Sequence, residues 1–344
     1  MRLFLLPIST RRSLIYCERR SVLSPPPPPG APPPSFFRRQ IDSVPSRINK
    51  TWAEWERAEK GWQKKLTVYA NQLFKRIPYE EWGLKSIPAL TAKRKEELEK
   101  LANGSANAGG KGKGVEVVFP GRFMEKEKVL GTLETLATER QGLHRSRLYW
   151  SVAIAPLTAP FTIVPVIPNI PFFYVAYRGW SHWKALRGSQ HLQLICKLQS
   201  QVPTSSKTAP AILTLEPSST LDSLYAAGLI HPTREKSREG PEPSIEEVDA
   251  VAQGYGGKPE GVKEEGPLYA KKSKEVKVEG SVNGEEKMLL KRWNGKVLAE
   301  RFEMPELEIE IERAVEQVEK HIAEEGKKKE VEKKDDAEGK GKKD

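Results

Sequence analysis

The strongest constraint on the fold is a thirty-residue apolar run without a charged side chain, from Leu148 to Tyr177. A membrane-spanning helix needs about 20 apolar residues, so the run is long enough to cross a bilayer. Its prolines each remove a backbone donor, and lipid offers no water to the carbonyl left unpaired. We therefore predict a kinked span, a re-entrant pair of half-helices turning near Pro168-Asn169, or a buried proline-rich hairpin. The prolines are Pro156, Pro160, Pro165, Pro168 and Pro171.

The flanks of this run are basic and aromatic. No Asp or Glu occurs from Arg140 to Leu215, although the chain of 344 residues contains 46 acids. Such flanks are typical of a chain that meets anionic, cardiolipin-like lipid. A basic surface around a buried hairpin is the competing interpretation. We expect no nucleic-acid partner, because the bases are scattered and no nucleic-acid motif accompanies them. The predicted frame consists of Arg145, Arg147, Trp150, Arg178, Trp180, His182 and Trp183.

The basic N-terminal segment, residues 1–24, allows two interpretations. It is rich in Arg and Ser and poor in acids, which is typical of a mitochondrial targeting segment. Two short apolar runs, Leu3–Ile8 and Ser13–Tyr16, also surround a polar turn, a pattern that favours a β-hairpin of the mature fold. An uncleaved signal satisfies both interpretations.

The rest of the chain divides by composition. Charged residues make up 30% of it, with 27 Pro and 26 Gly, so we predict a folded core with long disordered insertions. The predicted fold is mainly α with a few short β elements and is membrane-associated. Its predicted regions are a Pro-rich spacer (25–47), a Trp-rich helical region (48–102), a Gly-rich linker (103–114), a core containing the apolar run (115–230), a disordered linker (231–286), a hairpin plus amphipathic helix (287–324) and a charged tail (325–344).

Local patterns add four expectations. The Trp52–Leu73 stripe predicts a helix within 48–76, and Leu307–Ile322 predicts an amphipathic helix. Gly188-Ser189 is expected to interrupt the helix that follows the apolar run. Asn294-Gly295 predicts a type I′ hairpin turn.

The sequence contains no catalytic signature: it has no HExxH, no GxSxG and no phosphate-binding glycine loop. We predict that the protein is not an enzyme and has no catalytic residue, cofactor or metal ligand. Glu80-Glu81 is expected to be solvated, and His182 and His191 to be structural or interfacial. Because the apolar run has no ionisable group, one copy cannot enclose a cation path. A homo-oligomer or a supporting role beside protein partners is the better expectation.

Several segments, in this order, resemble the fungal family called mitochondrial K⁺–H⁺ exchange-related. The resemblance implies a mitochondrial inner-membrane location and a part in potassium–proton exchange, as component or regulator, with K⁺ and H⁺ as the transported ions. The alternative function is a membrane-surface scaffold or assembly factor without transport activity. The segments are MRLFLLPIST-RRSLIYCE, RIPYEEWGLKSIP, VEVVFP, PLTAPFTIVPVIPNIPFFYVAYRGWSHWKALRGSQHL, LDSLYAAGL and ELEIEIERAVEQ.

Overall fold

The computed structural model describes residues 1–18, 60–103, 114–158, 170–201, 212–231, 242–257 and 286–340. The chain forms two compact units, residues 19–78 and residues 1–18 with 79–344. Helix α1 (Trp62–Lys75) belongs to the first of these. It lies within the helix predicted over 48–76, and Trp52 and Trp55 of the predicted stripe fall outside the described residues. The predicted Pro-rich spacer and nearly all of the Gly-rich linker also fall outside them.

The larger unit contains a four-stranded sheet with the order β2-β1-β3-β4. Strands β1 (Arg2–Pro7) and β2 (Ser13–Cys17) form an antiparallel hairpin, with Leu5 opposite Ile15. Strands β3 (Val115–Phe119) and β4 (Leu213–Pro217) continue the sheet in parallel. The hairpin interpretation of the N-terminus is thus confirmed, whereas β4 is a strand that the sequence analysis did not identify.

Helices cover both faces of this sheet, so β1 and β2 are buried throughout nearly all their length. The described helices of this unit are α2 (Tyr79–Ser86), α3 (Ala92–Ala102), α4 (Lys126–Thr138), α5 (Gln141–Thr158), α6 (Ile170–Gln201), α7 (Ser219–Ile230), α8 (Ile245–Gly254), α9 (Asn294–Arg301) and α10 (Pro305–Lys340). One apolar cluster joins strand residues such as Leu3 and Val117 to α2, α3, α4 and α6. The other joins Phe4 and Val118 to α7, α9 and α10.

The apolar run contributes to two helices, α5 and α6, that pack against each other. They run antiparallel, because Gln141 hydrogen-bonds Gln193 while Gly179 lies against Ser151 further along the pair. Two prolines of the apolar run lie in these helices: Pro156 is inside α5, and Pro171 is in the first turn of α6. Four other residues of the run lie outside the described residues, namely Pro160, Pro165, Pro168 and Asn169. In the part of the chain that is described, no helix is both long and apolar enough to span a membrane.

Two predicted chain breaks are wrong, and close packing explains both. Helix α6 continues through Gly188, where a Cβ atom would lie 2.1 Å from the carbonyl oxygen of Leu84. Asn294 and Gly295 begin α9 rather than a hairpin turn. Asn294 Oδ1 accepts a hydrogen bond from the Lys291 amide at 2.7 Å, and Gly295 allows close approach to α10. In the folded protein these residues make contacts between helices and do not form the turns that their residue types favour locally.

Helix α8 was not predicted, and helix α10 agrees with its prediction but is longer. Helix α8 lies inside the stretch predicted to be a disordered linker, begins with a Ser244–Glu247 capping box and buries Val248 and Val251. Helix α10 confirms the predicted amphipathic helix, because its stripe from Leu307 to Val318 is buried in the core. It extends to Lys340, through most of the predicted charged tail.

Candidate functional site

A buried ionic cluster lies where three helices meet beside the sheet. Glu81 comes from α2, His144 from α5, and Arg178, Ser181 and His182 from α6. The three α6 residues are spaced i, i+3 and i+4, which places them on one helix face. We call these five residues the ionic cluster.

The Glu81 carboxylate is the centre of this cluster and is only 1% exposed. Arg178 donates to both of its oxygens, with Nη1–Oε1 at 2.8 Å and Nη2–Oε2 at 3.2 Å. The Ser181 hydroxyl donates to Oε1 at 2.5 Å. Burial alone raises the pKa of Glu81, but the hydrogen bond from Ser181 and the charge of Arg178 outweigh it and hold the pKa below its usual value. Glu81 is therefore ionised and paired.

The two histidines continue the cluster in a defined protonation state. Arg178 Nη2 lies 3.0 Å from His182 Nε2, and a guanidinium can only donate, so Nε2 accepts. The proton of His182 is consequently on Nδ1, which lies 3.1 Å from His144 Nδ1 and 3.6 Å from Glu81 Oε2. His144 therefore accepts through Nδ1 and carries its own proton on Nε2, a buried atom without a hydrogen-bond partner.

Burial keeps both imidazoles neutral. It lowers the pKa of His182 to about 4, although the nearby Glu81 carboxylate acts in the opposite direction. It also lowers the pKa of His144. A neutral imidazole keeps one nitrogen lone pair, so the cluster holds one carboxylate and two neutral imidazoles in an enclosed space. Both lone pairs accept hydrogen bonds within the cluster, that of His182 from Arg178 and that of His144 from His182.

A second charged group, Lys85, lies next to this cluster in an aromatic cage. Its ammonium is 3.3 Å from the centre of the Trp82 ring, and the Tyr177 and Trp180 rings stand at 5.4 and 5.7 Å. The ammonium also donates to the Tyr177 hydroxyl at 3.3 Å. Burial lowers the pKa of Lys85 to about 7, despite the carboxylates of Glu81 and Glu310. Lys85 can therefore change its charge near neutral pH.

Beyond the cluster, the α5–α6 pair exposes large apolar side chains. We call residues 149–158 and 172–177 the hairpin end. The exposed fraction is 68% for Tyr149, 66% for Trp150, 72% for Leu157 and 63% for Phe173. Soluble proteins rarely expose adjoining apolar groups of this size without a binding role. The hairpin end is therefore a candidate contact surface.

The predicted basic and aromatic frame separates into outward and inward residues. Arg145, Arg147, Trp150, Trp180 and Trp183 are exposed. Arg178 and His182 instead turn inward to Glu81. From the sequence, these two residues were assigned to a lipid-facing frame because they lie next to the apolar run. That position gave no indication of a buried carboxylate partner.

Sequence reasoning missed three members of the cluster: Glu81, His144 and Ser181. The expectation that Glu81 is solvated is wrong, because only the neighbouring Glu80 is partly accessible, in an ion pair with Arg140 at 2.8 Å. His144 was not singled out at all. Glu81, His144 and His182 come from different helices, so no fixed sequence spacing could have revealed them.

The fold and site define a class: a mainly helical protein with a small mixed sheet, whose buried ionisable groups lie at the base of an exposed apolar helix pair. The chain belongs to the family described as mitochondrial K⁺–H⁺ exchange-related, whose model matches residues 2–196. The resemblance drawn from the sequence is confirmed. LDSLYAAGL and ELEIEIERAVEQ lie beyond the matched range.

Two fungal relatives are similar to this chain. An uncharacterized protein of Schizosaccharomyces pombe is 25% identical over 213 residues, which cover 62% of this chain and 83% of that protein. An uncharacterized protein of Saccharomyces cerevisiae is 25% identical over 163 residues, which cover 44% of this chain and 51% of that protein. No solved structure matches the chain.

Proposed function

We propose that this protein takes part in potassium–proton exchange at the mitochondrial inner membrane, as a component or regulator of the exchanger. The single observation that carries the proposal is the exposed hairpin end, an apolar surface inside a stretch without Asp or Glu. The family description supports the mitochondrial location and the link to exchange.

In this proposal the hairpin end inserts into anionic lipid. Burying one large apolar side chain contributes roughly 1.5–3 kcal/mol, so several together supply a useful membrane affinity. The exposed Arg145 and Arg147 next to the hairpin end add attraction to anionic head groups. Insertion of a hairpin, rather than of a single straight helix, agrees with the prolines of the apolar run.

Vesicle binding by the full-length protein tests this insertion. Leu157→Glu should weaken binding to cardiolipin-containing vesicles by roughly tenfold or more, because it places a charge in the lipid-facing surface. Ile245→Glu is the matched control, since Ile245 is 70% exposed but lies on α8. Equal binding by both variants and the unchanged protein would contradict an inserted hairpin end. Carbonate extraction of mitochondria adds the cellular test: release into the supernatant argues against insertion.

The proton dependence of exchange is proposed to reside at Lys85. The charge of this ammonium changes near neutral pH, and its cage includes Tyr177 and Trp180, which belong to the hairpin helix α6. Loss of the Lys85 charge weakens its attraction to the aromatic rings and to Glu81 and Glu310. Matrix pH would thereby alter how α6 packs on α2.

Potassium-acetate swelling of isolated mitochondria tests the exchange role. Mitochondria that lack the protein should swell and recover differently from the parental strain, and unchanged behaviour counts against the proposal. Complementation with Lys85→Met should restore swelling but flatten its dependence on pH around neutrality. Lys184→Met is the matched control. The Lys184 ammonium also lies near the Trp180 ring, 5.0 Å from its centre, but Lys184 is less buried than Lys85.

A further inference from the structure

We propose that Glu81, His144 and His182 form a binding site for a divalent transition metal ion of the zinc class. The three side chains are 1%, 1% and 2% exposed, so they make an enclosed site rather than a surface cluster. Their potential ligand atoms all lie within 4.8 Å of one another.

The spacing of these atoms fits tetrahedral coordination. Ligands bound about 2.0–2.1 Å from zinc lie roughly 3.3 Å from each other. The two histidine Nδ1 atoms are 3.1 Å apart, and His182 Nδ1 is 3.6 Å from Glu81 Oε2. These two separations are therefore already close to those between ligand atoms around one ion.

The ligand types select the class of metal. Two imidazole nitrogens and one carboxylate suit zinc, cobalt or nickel, whereas potassium and magnesium prefer oxygen ligands. Three protein ligands also match the number found in sites that keep a fourth position for water or another ligand. The site is thus distinct in its chemistry from any route for potassium.

Glu81 Oε2 is the oxygen best placed to bind the ion. Oε1 already accepts the shorter hydrogen bond from Arg178 and the bond from Ser181, at 2.8 and 2.5 Å. Oε2 has only the longer Arg178 contact and faces His182. Ser181 can therefore orient the carboxylate through Oε1 while Oε2 binds metal, as outer-shell partners do in other metal sites.

Arg178 is the competitor of the ion. His144 already presents the Nδ1 lone pair, but His182 Nδ1 is protonated because Arg178 donates to Nε2. For metal to bind, this proton must move from Nδ1 to Nε2, and the Arg178 contact with Nε2 must break. No net proton is released in this step. The guanidinium charge also repels the ion, so removal of Arg178 should strengthen binding.

Metal content of the purified full-length protein tests the site. After chelator treatment and dialysis, the protein should bind one equivalent of Zn²⁺, and Co²⁺ should produce the visible absorption of low-coordinate cobalt. His144→Gln and His182→Gln should each lower affinity at least tenfold. His144→Gln is the decisive variant, because His144 takes no part in the Glu81–Arg178 ion pair, and circular dichroism checks that the variant is folded. Arg178→Gln should raise affinity by about tenfold, because it removes the cationic guanidinium next to the ion.

A surface pair provides the control for adventitious binding. His321 Nε2 and Glu325 Oε1 lie 2.8 Å apart and are 43% and 41% exposed. His321→Ala should leave metal binding unchanged. Binding lost in His321→Ala but kept in His144→Gln would overturn the site, as would the absence of binding by the unchanged protein. Because the readout is bound metal, its failure leaves the exchange proposal standing, and unchanged swelling leaves the metal site standing.

Discussion

Replacing Arg178 with Met provides the most direct test of the ionic cluster. Met retains much of the apolar stem and removes the guanidinium that pairs with Glu81. The two side chains are 12% and 1% exposed, so solvent cannot replace the lost partner. Breaking a buried ion pair by removing one member costs about 3–5 kcal/mol, because a charge is left buried and uncompensated. We expect the free energy of unfolding to fall by that amount.

Urea unfolding followed by circular dichroism measures this change. Arg292→Met is the matched control, since Arg292 pairs with Glu319 at 3.5 Å with exposed fractions of 59% and 42%. An exposed pair of this kind contributes about 0–1 kcal/mol. Both variants thus replace the arginine of an ion pair with methionine, but the Arg178 pair is buried and the Arg292 pair is exposed.

A double variant separates charge from packing. Glu81→Gln combined with Arg178→Met removes both charges and should be more stable than Arg178→Met alone. If Arg178→Met lowers the free energy of unfolding by less than about 1 kcal/mol, or if the double variant is no more stable than Arg178→Met, then Glu81 and Arg178 are not a strongly coupled buried pair.

Two further predictions concern pH and helix packing. With the pKa of His182 lowered from 6.5 to about 4 in the folded state, the unfolded chain binds more protons below pH 6.5, so stability should fall by about 2 kcal/mol by pH 5. His182→Asn should reduce this fall in pH-dependent urea titrations, and an unchanged slope would refute the assignment. Gly188→Ala should destabilise by about 1–3 kcal/mol, because its Cβ would meet the Leu84 carbonyl oxygen. A Cβ atom at Gly131 would have no neighbour within 4 Å, so Gly131→Ala should instead stabilise α4 by about 0.5–1 kcal/mol. Equal shifts of the melting temperature in the two glycine variants would contradict the packing argument.

Local patterns predicted the elements whose own side chains define a buried face. The apolar runs of β1 and β2 and the Leu307–Val318 stripe all correspond to buried residues in the fold. The stripe succeeds because helical periodicity records which side faces the core, whichever partner covers it. The strands are continuous apolar runs because helices cover both faces of the sheet. The same reasoning failed at Gly188 and Asn294-Gly295, where a neighbouring helix sets the conformation.

The sequence by itself determined that Leu148–Tyr177 is apolar, free of charge and interrupted by proline, and hence unsuited to a straight membrane helix. Only the tertiary structure decided that Arg178 and His182, just beyond this run, turn away from the basic flank. They face Glu81, which lies 97 residues before Arg178 in the chain. The physical reason is that a buried carboxylate must be paired, and its partner is chosen by helix packing rather than by sequence distance.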